Sequence, residues 1–148
     1  RTSLIKEGSV AGFLYDLQTA ALAHTESTGN GSRGRVGLPA PSPTAFIIAP
    51  GNATFDEMVN DIKEGLVIEW LMGAEQGNIL GGDFSGNVLL GYKVENGKII
   101  GRVKNTMVSG NIYKVLNQIA AIGSEAKWVG SSLKTPHLYC PTLSVASK

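Results

Sequence analysis

The sequence predicts an α+β domain, mostly antiparallel β-sheet and barrel-like, with two or three helices. Three observations point there. Gly accounts for 19 of the 148 residues, which suits many tight turns between short strands. Glu95-Asn96-Gly97 stands between two apolar runs at 88–94 and 98–103. Asn-Gly in that setting is the strongest short hairpin signal, because both residues accept the positive φ of a type I′ turn. Two segments, at Thr54 and Asn111, pair a helix cap with an apolar stripe behind it.

The elements follow in order. Residues 2–10 read as a short strand ending near Gly8. Leu14, Leu17, Ala21 and Leu22 then recur at helical spacings, with Asp16 placed to cap a helix over 17–23. Residues 27–35 form a polar, Gly-rich loop. Pro39, Pro41 and Pro43 hold 38–44 extended, since each residue before a proline is pushed out of the helical region. Phe46-Ile47-Ile48 is a short strand stopped by Pro50-Gly51. Thr54 and Glu57 make a capping box. Phe55, Met58, Val59 and Ile62 form one apolar face behind it, and Gly65 is the natural stop. Residues 66–72 are an apolar strand and 73–87 a Gly-rich loop. Asn111 caps a further helix, with Ile112, Val115, Leu116, Ile119 and Ala120 as its stripe and Gly123 as its end. A strand begins at Trp128, and a last one covers 138–145, broken by Pro141.

Bulk properties exclude several functions. Thirteen Lys and Arg against 12 Asp and Glu give a net charge of +1, which is no strongly basic nucleic-acid binder. Residues 1–74 carry 5 basic and 8 acidic side chains, and 75–148 carry 8 and 4; the basic ones are scattered, as on solvated faces. The single Cys140 excludes an intramolecular disulfide and a Cys-rich zinc module. No apolar run approaches the roughly 18 residues of a membrane span. The chain opens Arg1-Thr2-Ser3-Leu4 without Met or a signal-peptide pattern, so the reading is one domain, 1–148, cut from a longer protein.

The residues build no self-contained active site. His24 and His137 are the only histidines and stand in no HExxH or HxH arrangement. His137 and Cys140 are three apart, which on a strand turns them to opposite faces and spoils chelation. Cys140 reads as a small buried apolar residue. No GxSxG occurs, and the Gly loop at 29–34 neither matches the Walker pattern nor opens a helix. Gly82-Asp83-Phe84-Ser85-Gly86 brings an acid and a hydroxyl together, most simply as a tight turn in which Asp83 bonds its own backbone. Asn52-Ala53-Thr54 has the letters of a glycosylation sequon, but Thr54 is explained as a cap.

The collinear set of segments carries more than any one motif. LIKEGSVAGFLYDLQTA, STGNGSRG, PSPT, PGNATFDEMV, GDFSGNVLLGYKVENGKIIGRV, VSGNIYKVLNQIAAIGSEAKW and PHLYCPTLSVASK, in this order, resemble the C-terminal domain of the TldD/PmbA family, which has been called modulator of DNA gyrase. The resemblance covers essentially the whole chain. It implies a cytoplasmic, zinc-metallopeptidase-like protein of a heterodimeric complex that matures or degrades peptides. One subunit type carries an HExxxH helix and a downstream Cys as zinc ligands. The other, PmbA or TldE, lacks them. The HExxxH helix would lie upstream of Arg1. The interval where the zinc Cys is expected, 128–135, holds no Cys, and Cys140 lies beyond it, so the ligand role is not carried to Cys140. The resemblance therefore implies the PmbA/TldE type: no catalytic residue, no metal ligand and no cofactor in this chain, with zinc left to a partner subunit. The implied partners are a TldD-like subunit or a second copy, and an extended peptide bound along a strand edge, with neither nucleic acid nor membrane. Thr28, Gly29, Asn30 and Arg33 in the first Gly loop, and Asp83, Phe84 and Ser85 in the second, are the expected peptide- or partner-facing residues. The alternatives are the C-terminal half of a catalytic zinc metallopeptidase subunit and a stand-alone peptide-binding module.

Overall fold

A computed structural model describes residues 1–75 and 77–147. The chain divides into two compact units, Arg1–Ile47 with Trp128–Lys134, and Ile48–Lys127 with Thr135–Lys148. The first unit holds β1 (Ile5–Lys6), β2 (Ser9–Val10), α1 (Leu17–Leu22), β3 (Gly31–Ser32), β4 (Ala40–Pro41) and β5 (Phe46–Ile47). The second holds α2 (Phe55–Asn60), β6 (Glu64–Met72), β7 (Asp83–Glu95), β8 (Lys98–Arg102), β9 (Thr106–Asn111), α3 (Ile112–Leu116) and β12 (Ser144–Ser147). Strands β10 (Ala121–Val129) and β11 (Leu133–Tyr139) run through both, their shared turn lying with the first unit. The α+β class and the mostly antiparallel pairing are as expected, and the helices number three among the described residues. The sheets do not close into a barrel.

In the first unit, 2–10 is a miniature hairpin rather than one strand. Ile5 pairs with Val10 and Lys6 with Ser9, across Glu7 and Gly8, which both have positive φ (52° and 78°). That geometry turns the chain back although the letters lack Asn-Gly. Asp16 caps α1 as expected, its carboxylate accepting from the Thr19 amide at 2.7 Å. Strand β5 pairs in parallel with β11, Leu133 beside Phe46 and Lys134 beside Ile47.

The second unit is organised by β7, which is 13 residues long. It pairs antiparallel with β6, β8 and β9, and β12 extends the sheet beyond β9. The β7–β8 hairpin turns at Asn96 (φ 48°) and Gly97 (φ 75°), as the sequence requires. Its amides dock on the chain after α2, Asn96 donating to Lys63 O at 2.7 Å and Gly97 to Ile62 O at 2.8 Å. Val67 faces Tyr92 and Gly65 faces Val94 across β6 and β7. That face meets α2: Val59, Val67 and Val94 are buried together, with Phe55, Ile62 and Tyr92 packed against them. The predicted apolar stripe of α2 is thus the core stripe.

Further expectations need correction. Helix α2 ends at Asn60, and Gly65, expected as its stop, lies inside β6; the strand expected to begin at Trp128 begins at Ala121 as β10. Strand β7 begins at Asp83, so the loop expected over 73–87 ends five residues early; residues 83–87 are paired one for one with β9, which was not anticipated. Cross-strand pairing overrides the weak strand propensity of Asp, Ser, Gly and Asn there. Helix α3 stops at Leu116, and Gly123, expected as its end, lies inside β10 and bridges to Ala53. The expected final strand over 138–145 is two: β11 ends at Tyr139 and β12 starts at Ser144, with Pro141 in the break.

Val94 is fully buried and Leu80 is 93% exposed. Val94→Ala should therefore cost about 2–3 kcal/mol, and Leu80→Ala less than about 0.5 kcal/mol, in urea unfolding of the full-length protein.

Candidate functional site

The second unit contains an open cleft of about 490 Å³. One wall is the start of α2. Thr54 Oγ1 accepts from the Glu57 amide at 3.2 Å, and the Glu57 carboxylate accepts from the Thr54 amide at 2.8 Å. The Thr54 amide, and the Thr54 hydroxyl donating to the same oxygen at 2.9 Å, hold the Glu57 carboxyl below its ordinary value. The opposite wall is shaped by a β-bulge. Ile68 pairs with Gly91 and Trp70 with Leu90, so Glu69 is the extra residue on β6. A bulge re-aims its side chain, and the Glu69 carboxylate lines the cleft with Oε1 3.8 Å from His137 Nε2. The Phe55 and His137 rings meet at 4.8 Å between centroids. Gly123 permits the close approach of β10 and β11: a Cβ there would stand 3.2 Å from His137 O.

The cleft also exposes backbone. Segment 51–53 runs beside β10, the Ala53 amide donating to Ile122 O at 3.3 Å and the Ser124 amide to Ala53 O at 2.7 Å. The chain then leaves into α2. Beyond Ser124, along Glu125 and Lys127 in the cleft, that edge of β10 has no strand beside it among the described residues. Asp56, Glu69 and Glu125 set three carboxylates against Lys127 in the lining.

Among the described residues no three His, Cys, Asp or Glu side chains gather into a metal-holding group. Burial pushes the Cys140 thiol up, away from the thiolate that a metal binds. Burial also raises Tyr139, helped by its hydrogen bond with Asp61.

The expected site residues fall in different units. In the first, Thr28 Oγ1 accepts from the Tyr15 amide at 2.8 Å and donates to Tyr15 O at 3.0 Å. Asn30 O accepts from the Ser42 amide at 2.9 Å, and its side-chain amide reaches Ser42 O at 3.4 Å. Thr28 and Asn30 thus tie the loop down. Gly29 supplies a positive φ of 72°, and Arg33 is exposed after β3. In the second unit, Asp83, Phe84 and Ser85 are the opening of β7, opposite Asn111, Gly110 and Ser109. The tight turn expected at 82–86 lies earlier: Gly82 donates to Ile79 O and Asp83 to Asn78 O. Asp83 accepts not from its own backbone but from the Asn111 side-chain amide, at 2.8 Å. Ser85 Oγ donates to Met107 Sδ at 3.4 Å. The cleft pair Glu69 and His137 was not anticipated, because no letter announces a bulge.

The family model for the PmbA/TldA metallopeptidase C-terminal domain matches residues 1–147. The chain belongs to this family. An uncharacterised protein of Methanocaldococcus jannaschii is 36% identical over 118 residues, 80% of this chain and 27% of its own length. Among solved structures, TldE from Thermococcus kodakarensis superposes with a TM-score of 0.87 at 27% identity, over 97% of this chain and 33% of its own. A candidate modulator of a DNA gyrase from Thermotoga maritima does so with a TM-score of 0.81 at 33% identity, over 97% and 32%. The chain thus spans about a quarter to a third of the relatives it matches.

Two outcomes test the loops. A Cβ at Gly82 (φ 81°) would meet the Tyr113 ring at 2.5 Å, whereas at Gly29 it would meet nothing within 4 Å. Gly82→Ala should cost about 2–3 kcal/mol, but Gly29→Ala only the φ penalty of about 1 kcal/mol, by chemical denaturation. Hydrogen bonds from Thr19 hold the Asp16 carboxyl below its ordinary value of 3.8. A lowered native pKa contributes stability that is complete above the unfolded value and lost as pH falls through the native one. The melting-temperature gap between the native protein and Asp16→Ala should therefore be constant above about pH 5 and narrow steadily toward about pH 3.

Proposed function

We propose that this chain serves the PmbA/TldE-like, zinc-free subunit of a TldD/PmbA-type peptidase complex, where it shapes the peptide cavity and the subunit interface. The zinc and the catalytic base belong to a TldD-like partner, the substrates are extended peptides awaiting maturation or degradation, and the complex works in the cytoplasm. The observation that carries this reading is that residues 128–135, where the resemblance places a zinc-ligand Cys, hold none, the one Cys being the half-buried Cys140. The likeness to TldE of Thermococcus kodakarensis supports the subunit type.

The cleft supports the role in binding. An extended peptide laid beside β10 beyond Ser124 would continue the place that segment 51–53 vacates, its backbone bonding to the free strand edge. Backbone pairing of this kind reads little sequence, which suits a peptidase of broad range. Thr28–Arg33 and Asp83–Ser85 are kept as partner-facing segments, Arg33 being the exposed charge of the first.

One observation favours a second reading, the C-terminal half of a catalytic subunit. The TldD metalloprotease homologue of Buchnera aphidicola is 31% identical over 125 residues, 84% of this chain and 26% of its own length. Zinc per chain in the purified full-length protein separates the two. The zinc-free subunit should hold no stoichiometric zinc and cleave peptides only after mixing with a TldD-like partner. About one tightly held zinc per chain, with cleavage by the protein alone, would overturn the proposal.

A further inference from the structure

We propose, resting on the reading that a peptide lies along the free edge of β10, that the cleft beside this edge takes a basic side chain, so that the bound peptide carries Lys or Arg. Successive side chains of a strand point to opposite faces, so Gly123, Glu125 and Lys127 share one side of β10. All three line the cleft. A peptide strand laid beside β10 has the same alternation, and every second side chain it carries enters the cleft as well. Gly123 contributes no side chain to fill that space.

The lining is unequal in charge. Asp56 comes from α2, Glu69 from β6 and Glu125 from β10, so carboxylates converge from three elements, against the single ammonium of Lys127. Like charges converging on one cleft repel, and a cation from outside relieves that repulsion. Among the described residues the ion pairs are those of Lys93 with Glu64 and Glu95 and of His137 with Glu69, so Asp56, Glu125 and Lys127 are in none. The His137–Glu69 contact, at 3.8 Å, is too long for a hydrogen bond and leaves Glu69 able to accept one. Lys127 stands two residues beyond Glu125, about 6.6 Å along the strand. It lies beside the next inward side chain of the peptide, while Glu125 lies beside the first.

The apolar part of the lining decides what kind of cation fits. Phe55 and Met58 give the cleft an apolar wall among its charged groups. A long aliphatic stem packs on such a wall while its charged head stays in the wet, open part. Lys and Arg side chains are built this way. A guanidinium also stacks on an aromatic face and forks onto carboxylates, which puts Arg first. Edge pairing by the peptide backbone reads little sequence, so this side chain would supply the selectivity that β10 alone does not.

Binding of fluorescein-labelled nonapeptides to the full-length protein, followed by anisotropy, tests this. The probes are Thr-Ser-Thr-Val-X-Val-Thr-Ser-Thr, with arginine, norleucine or glutamate at X. The arginine peptide should bind about fivefold to tenfold tighter than the norleucine peptide, and the glutamate peptide weakest of the three. In the double variant Glu69→Gln with Glu125→Gln, the arginine-to-norleucine ratio should fall toward one. Both carboxylates are exposed, so the fold should persist, which a thermal melt checks. The same charge change at Glu7 and Glu26, which do not line the cleft, should leave the ratio as it is. Equal binding of all three peptides would overturn the proposal and leave the peptide along β10 standing. A ratio that survives in the Glu69 and Glu125 variant, or that falls equally in the Glu7 and Glu26 variant, also sinks it, by placing the preference elsewhere. If none of the three peptides binds, the reading of β10 and the proposal fall together.

Discussion

The double-sided pairing of β7 is the constraint on which the second unit depends. Its two halves have different partners on one side. Residues 83–87 pair with β9 and the end after Tyr92 with β8, while β6 follows it from Asn87 to Glu95. Slipping β7 by one residue would bring Tyr92 and Val94 out of the core and put Lys93 and Glu95 into it. The register therefore decides at once where α2 lies and where the cleft opens. The hairpin turn at Asn96-Gly97 sets that register locally, and its docking on Ile62 and Lys63 ties it to the chain leaving α2.

The bulge at Glu69 shows how a site is made from this scaffold at small cost. The slip it introduces on β6 is undone within two residues, because β7 skips Leu89 between Leu90 and Val88. Register on either side is preserved, and only the local direction of side chains changes. Glu69 lines the cleft beside His137, while Trp70 and Met72 are exposed. The wall of the cleft is thus made by a pair of compensating irregularities, one in each strand.

What was legible in the sequence is what depends on neighbours in the chain. The Thr54–Glu57 box, the Asp16 cap and the Asn96-Gly97 turn are interactions within a few residues, and the structure has each of them. The class of fold followed from such signals, and the family from the resemblance of a collinear set of segments. The start of β7 and the whole of β9 were not legible, because Asp83-Phe84-Ser85-Gly86 becomes a strand only when Ser109, Gly110 and Asn111 lie beside it. Gly123 was misread for the same reason: its freedom serves a close approach to His137 rather than a helix end. Thr28 and Asn30 were singled out from a loop composition that suggests binding, yet their polar atoms are occupied by Tyr15 and Ser42.

The distribution of apolar side chains explains why chemistry was not legible at all. Among the described residues seven hydrophobic side chains are buried, while Val36, Leu38 and Leu80 are each more than 80% exposed. The accessible surface is 10,941 Å², against roughly 8,700 Å² for two separate compact bodies of the sizes of the two units. The excess does not depend on how the units are arranged, since separate bodies are already the most generous case. That is more surface than compact bodies of these sizes leave uncovered. Among the described residues this domain shows the walls of a cleft and a free strand edge, with no three metal-ligating side chains gathered together.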